Sequence, residues 1–174
     1  MVGNATRPTT TRTANIATGP MIGMKLRIAA IAPRPAGLGM PVMAQIRERW
    51  PQVRIILRAD SGFARDALMS WCEATGVNFI FGLAKNVRLN RAIGAELTMA
   101  REESRTTGEP ARRFKELTWS TRKSWSRKRR VVAKAEWTQG EANPRFIVTS
   151  LTAADGDGRH RYEDVYCARG EMEN

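Results

Sequence analysis

Two short apolar runs bracket an amphipathic stretch of helical period, and this pattern restricts the fold more than any other feature of the chain. Val53-Arg54-Ile55-Ile56-Leu57-Arg58 is rich in β-branched residues and reads as a strand buried on both faces; Val77 to Leu83 (V-N-F-I-F-G-L) reads as a second. Between them, Ala64, Ala67, Leu68, Trp71 and Cys72 share one face of a helix over Phe63 to Thr75, with Gly76 placed to cap its end. Upstream, Val42, Ile46 and Trp50 recur four residues apart in a helix that Pro51 stops. Downstream, Leu89, Ile93, Leu97 and Ala100 mark another amphipathic helix, ending before Gly108. Residues 42–107 therefore read α-β-α-β-α, which implies a layered α/β fold with a mostly parallel sheet.

The period changes after residue 110. Segments around Phe114 and Trp119, from Val131 to Trp137 and from Arg145 to Leu151 read as three strands. They predict an antiparallel β region over about 111–152, inserted into the α/β part or extending it. Asp155-Gly156-Asp157-Gly158 reads as a loop, and Tyr162 to Asn174 as the start of a helix.

Charge is unevenly placed. The first acidic residue is Glu48, and residues 1–41 combine Arg7, Arg12, Lys25, Arg27 and Arg34 with Pro8, Pro20, Pro33, Pro35 and Pro41. Such a segment offers little apolar surface to offset chain entropy, so it is expected to be a disordered or non-native basic tail, with the domain proper at 42–174. Over the whole chain 29 Lys+Arg face 17 Asp+Glu, a net charge of +12 that points to a polyanionic partner, most simply nucleic acid. A hydrophobic fraction of 42% in 174 residues suits one folded domain. No apolar run is long enough to span a bilayer and no secretory leader is evident, so a cytoplasmic location is expected. Cys72 and Cys167 show no metal-ligand spacing and read as buried reduced thiols. A single histidine, His160, builds neither a structural zinc site nor a Ser-His-Asp triad.

Three constellations carry chemistry. Asp60 follows the C-terminal end of the first buried run, the edge at which open α/β sheets bind ligands. A carboxylate there suits a divalent metal; equally, Asp60 or Ser61 serves as a helix N-cap. Tyr166, Arg169 and Glu173 stand at i, i+3 and i+7, so one helix face would present a hydroxyl, a guanidinium and a carboxylate to a phosphate and a metal, or simply to solvent. Arg122-Lys123-Ser124-Trp125-Ser126-Arg127-Lys128-Arg129-Arg130 holds six cations in nine residues. On a hairpin tip these would track a DNA backbone, with Trp125 stacking on a base; the plainer reading is a solubilising loop.

Ile55-Ile56-Leu57-Arg58-Ala59-Asp60-Ser61-Gly62-Phe63 resembles the second-aspartate segment of the DDE transposases of bacterial insertion sequences. Trp71-Cys72-Glu73-Ala74-Thr75-Gly76-Val77 and Phe81-Gly82-Leu83-Ala84-Lys85-Asn86 continue the likeness, and Tyr166, Arg169 and Glu173 fit the family's Y-x2-R-x3-E signature. The chain looks most similar to the insertion-sequence-1380 group, from about residue 42 to its end. The resemblance implies an incomplete ribonuclease-H-like fold with an inserted antiparallel β region. It further implies a carboxylate triad that holds Mg²⁺ or Mn²⁺ for DNA cleavage and strand transfer. Asp60 and Glu173 would then be the second and third catalytic carboxylates and metal ligands, and Tyr166 and Arg169 would hold DNA phosphates beside the scissile bond.

The resemblance also defines what is missing. The family's first aspartate has no counterpart, because no Asp or Glu precedes Glu48, and its final Lys, seven residues past the Glu, would fall beyond Asn174. The chain is therefore expected to be a transposase catalytic domain truncated at both ends and inactive alone. Its partners would be transposon-end DNA and full-length transposase. The competing expectation is a non-enzymatic basic module that binds DNA and modulates a full-length transposase.

Overall fold

The computed structural model describes residues 25–29, 39–138 and 140–168. Arg169, Glu173 and the remainder of the expected C-terminal helix lie outside the described residues.

One mixed seven-stranded sheet organises the chain, in the order β1-β2-β3-β7-β5-β4, with β6 paired to β5. The apolar runs become β2 (Arg54–Ala59) and β3 (Asn78–Leu83), which pair in parallel with Ile56 opposite Asn78 and Ala59 opposite Phe81. Parallel pairing needs a crossover, and α2 (Asp66–Ala74) supplies it, burying Met69 and Cys72. Gly76, at φ 65°, then turns the chain back in a conformation that strongly favours glycine. Ahead of β2, α1 (Gly39–Arg49) is tied down by Arg47, which donates to the carbonyls of Val53 at 2.6 Å and Gly76 at 3.2 Å.

The antiparallel strands extend the same sheet instead of forming a separate one. β7 (Arg145–Thr149) pairs antiparallel with β3, then β5 (Arg129–Thr138) with β7, then β4 (Ala111–Trp119) with β5. β6 is the two-residue strand Glu141–Ala142. The parallel pairing expected of the α/β part holds for β2 and β3, and the expected antiparallel region extends that sheet, so the whole is mixed.

Two further differences are local. β1 (Lys25–Ala29) pairs in parallel with β2, so part of the stretch expected as a featureless tail joins the sheet. The alternation Lys25-Leu26-Arg27-Ile28-Ala29 is short, but pairing with β2 satisfies the backbone groups on that side. The single helix expected over Leu89 to Ala100 is two, α3 (Val87–Ala92) and α4 (Gly94–Thr107), broken at Ile93 with φ −116° and ψ 19°. Gly108 ends α4 in the left-handed region, φ 73°.

The two faces of the sheet are covered unequally. Alternate residues Ile55, Leu57, Phe79, Phe81, Val131, Ala133, Phe146 and Val148 meet side chains of α1 to α4 in the larger core. The opposite residues, Ile56, Ile80, Val132 and Ile147, are covered by Leu151 and a C-terminal segment bearing Tyr162 and Val165. This segment starts as the short helix α5 (Gly158–His160) and continues as a π-helical turn, Arg161–Tyr166. It crosses the sheet as a strap. At the β4 side Arg161 is fully buried and donates to Glu116 of β4 at 2.8 Å and to the Gly156 carbonyl. At the β2 side Arg58 donates to the carbonyls of Val165, Tyr166 and Ala168. Of the two thiols, Cys72 is buried and Cys167, at the end of the strap, is exposed; the expectation of two buried thiols holds only for the first.

Candidate functional site

Asp60 stands one residue past β2, at the C-terminal edge of the parallel strands. It caps the 3₁₀ turn Ser61–Phe63, its Oδ1 accepting from the Gly62 amide at 2.8 Å, and it is exposed to solvent. The N-cap expected there is real. It engages Oδ1 and leaves the carboxylate facing solvent at the mouth of the sheet.

Tyr166 arrives at the same place from the far end of the sequence. A Cβ on Gly82 of β3 would stand 2.6 Å from the Tyr166 hydroxyl, 2.9 Å from the Ser61 nitrogen and 3.2 Å from the Asp60 carbonyl carbon. Only a residue without a side chain lets the strand, the Asp60 turn and the tyrosine meet. Tyr162 and Tyr166 lie with ring centroids 5.7 Å apart. Burial pushes the Tyr162 phenol up, with the neighbouring Cys167 and Tyr166 adding to the effect, so Tyr162 stays neutral and serves as packing.

Two residues not singled out for the site from the sequence build it. Gly82 provides the close approach, and Arg58, two residues before Asp60, anchors the turn that carries Tyr166. A cation within an otherwise apolar strand was the available signal for Arg58; nothing local distinguishes Gly82 from any other strand glycine.

The basic segment is the larger correction. It follows β4 and leads into β5, but Trp125 is only 9% exposed and packs into the larger core. It cannot stack on a base from there. Arg129 is 4% exposed and reaches α2, donating to Glu73 Oε1 and Asp66 Oδ1, each at 2.7 Å, and to Ser70 Oγ at 2.9 Å. The Arg129 guanidinium, then the Ser126 amide, hold the Asp66 carboxyl below its usual range. Arg129 is thus spent on the fold and not on DNA. Arg130 pairs with Glu116, whereas Arg127, with a 3.5 Å contact to Glu73, remains largely exposed. Arg122, Lys123 and Lys128 are exposed.

Among the described residues no group of three or more His, Cys, Asp or Glu side chains converges to hold a metal ion. Of the two expected carboxylates only Asp60 falls among the described residues. No helix among the described residues is long and apolar enough to cross a membrane.

An α/β sheet with an acid at its C-terminal edge, met by a tyrosine from a C-terminal segment, defines a class of site and not yet a family. The family follows from comparison: the chain belongs to the transposase DDE domain family, matching the description "Transposase DDE domain group 1" over residues 16–174. That match takes in β1 as well as everything after it. No curated protein and no solved structure matches the chain.

Proposed function

We propose that the chain is the DNA-handling core of a transposition catalytic domain of ribonuclease-H-like topology, related to the insertion-sequence-1380 group, and that it engages DNA at the edge where Asp60 and Tyr166 meet. The observation that carries this reading is the convergence of Asp60, Gly82 and Tyr166 from distant parts of the sequence, in a chain of this family. Asp60 and Glu173 serve as carboxylates for Mg²⁺ or Mn²⁺, and Tyr166 and Arg169 hold phosphates. Family membership supports those roles; Glu173 and Arg169 lie outside the described geometry. The exposed cations Arg122, Lys123, Arg127 and Lys128 extend the DNA-facing surface, consistent with the net charge of +12.

No Asp or Glu precedes Glu48 to serve as the family's first aspartate, and we expect binding without cleavage. That same observation favours the second reading, a non-enzymatic DNA-binding module that acts on a full-length transposase. Supercoiled plasmid with Mn²⁺ tests both. Nicking that disappears in Asp60→Ala would overturn the inactive reading. Salt-dependent binding unchanged by Asp60→Ala favours the module, and absence of binding at low salt removes the premise of both.

A further inference from the structure

Arg145 opens β7 and is exposed. Its neighbour Phe146 pairs with Leu83, the last residue of β3, so Arg145 stands at the same sheet edge as Asp60 and Tyr166. Alternation along β7 places it on the face of Ile147, the face covered by Tyr162. Its charge opposes the upward push of burial on the Tyr162 phenol.

The register sets Arg145 directly opposite Lys134 of β5. Like charges in that position destabilise a sheet. Lys134 is compensated: its Nζ donates to Glu136 Oε2 at 2.8 Å and lies 5.4 Å from the centroid of the Tyr162 ring. Glu136 is further engaged by Asn143, which donates to the same oxygen at 2.9 Å. Arg145 has no such relief; its guanidinium makes no hydrogen bond or ion pair among the described residues. An uncompensated guanidinium that the fold tolerates at its site edge is suited to an anionic ligand.

We propose that Arg145 is a DNA-phosphate contact of the Asp60–Tyr166 edge, outside the Y-x2-R-x3-E signature. From β2 through β3 to β7 is two strand spacings, about 10 Å, the axial rise of roughly three base pairs of B-form DNA. Arg145 therefore takes a phosphate displaced by about that distance from Asp60. The inference rests on the DNA-binding reading above.

The test is the salt dependence of binding to a labelled DNA duplex, measured on the full chain. For Arg145→Gln the slope of log K against log salt should fall by about 0.9, the value of one phosphate contact. Arg145→Lys should keep the slope. Arg105→Gln, an exposed cation on α4 on the opposite face of the sheet, should leave it unchanged. An Arg145→Gln slope equal to that of the parent overturns the proposal while the parent's own binding preserves the wider reading. A parent chain that shows no binding overturns both.

Discussion

The Tyr166 hydroxyl occupies the space in which a side chain on Gly82 would begin, 2.6 Å from where its Cβ would lie. Two residues separated by most of the sheet's sequence thus depend on each other's shape. Gly82→Ala forces Tyr166 or the Asp60–Ser61 backbone to move, and overpacking of this kind costs about 1–3 kcal/mol. Urea melts of Gly82→Ala, Tyr166→Phe and the double variant check it. Removing the hydroxyl should recover part of the loss, and strictly additive effects would show that the two do not interact.

Arg129 should behave as a core residue despite its basic surroundings. Replacing it with Ala leaves Asp66 and Glu73 without their buried partner, a change that costs about 3–5 kcal/mol when such a pair is broken. Lys128→Gln, one position away and exposed, should stay within about 0.5 kcal/mol of the parent. Equal stabilities for the two variants would count against the α2 clamp.

How much of this was legible follows from the range of the forces involved. β2, α2 and β3 could be read because each rests on a local period, and Gly76 and Gly108 because a left-handed turn constrains its own residue. The burial of Arg129 was not, since its partners lie 56 and 63 residues upstream and a run of cations reads locally as solvated surface. Trp125 was misplaced with it, being packed over the same network with its ring centroid 5.7 Å from the guanidinium. Asp60 and Tyr166 were paired only by likeness to a family; no periodicity links them. β1 stayed hidden because five residues among prolines and glycines carry too little pattern, and only the register with β2 makes them a strand.

Acid should weaken the fold through Asp155, whose carboxylate caps the turn after β7 and pairs with Arg54 of β2. The Arg54 hydrogen bond holds this carboxyl well below its ordinary value of 3.8, against a smaller opposing effect of burial. A depressed carboxyl stabilises the native state at pH above its ordinary value, and that contribution fades as pH falls through the lower native one. Asp155→Asn should therefore cost about 1 kcal/mol at neutral pH, allowing for the exposure of Arg54. The two proteins should draw together progressively as the pH falls below 3.8. A constant gap across the acid range would contradict this origin.

The thiols should separate by reactivity. Burial pushes the Cys72 thiol up to about 12; it raises the Cys167 thiol too, but Cys167 is exposed at the end of the strap. With a chromogenic disulfide at pH 8, native protein should release one equivalent and denatured protein two, the set of cysteines in the sequence. Cys167→Ser should abolish the fast native reaction; its persistence would place Cys72 in solvent.

The strap also dictates when the site comes into being. Arg58 closes on carbonyls 107, 108 and 110 residues further along the chain, so its contacts require the largest loops that the sheet has to close. Contacts of such separation form late, after the helices and local hairpins have reduced the remaining search. Assembly of the Asp60–Tyr166 edge should therefore come last in folding, and loosening Arg58 should accelerate unfolding while leaving the folding rate nearly untouched.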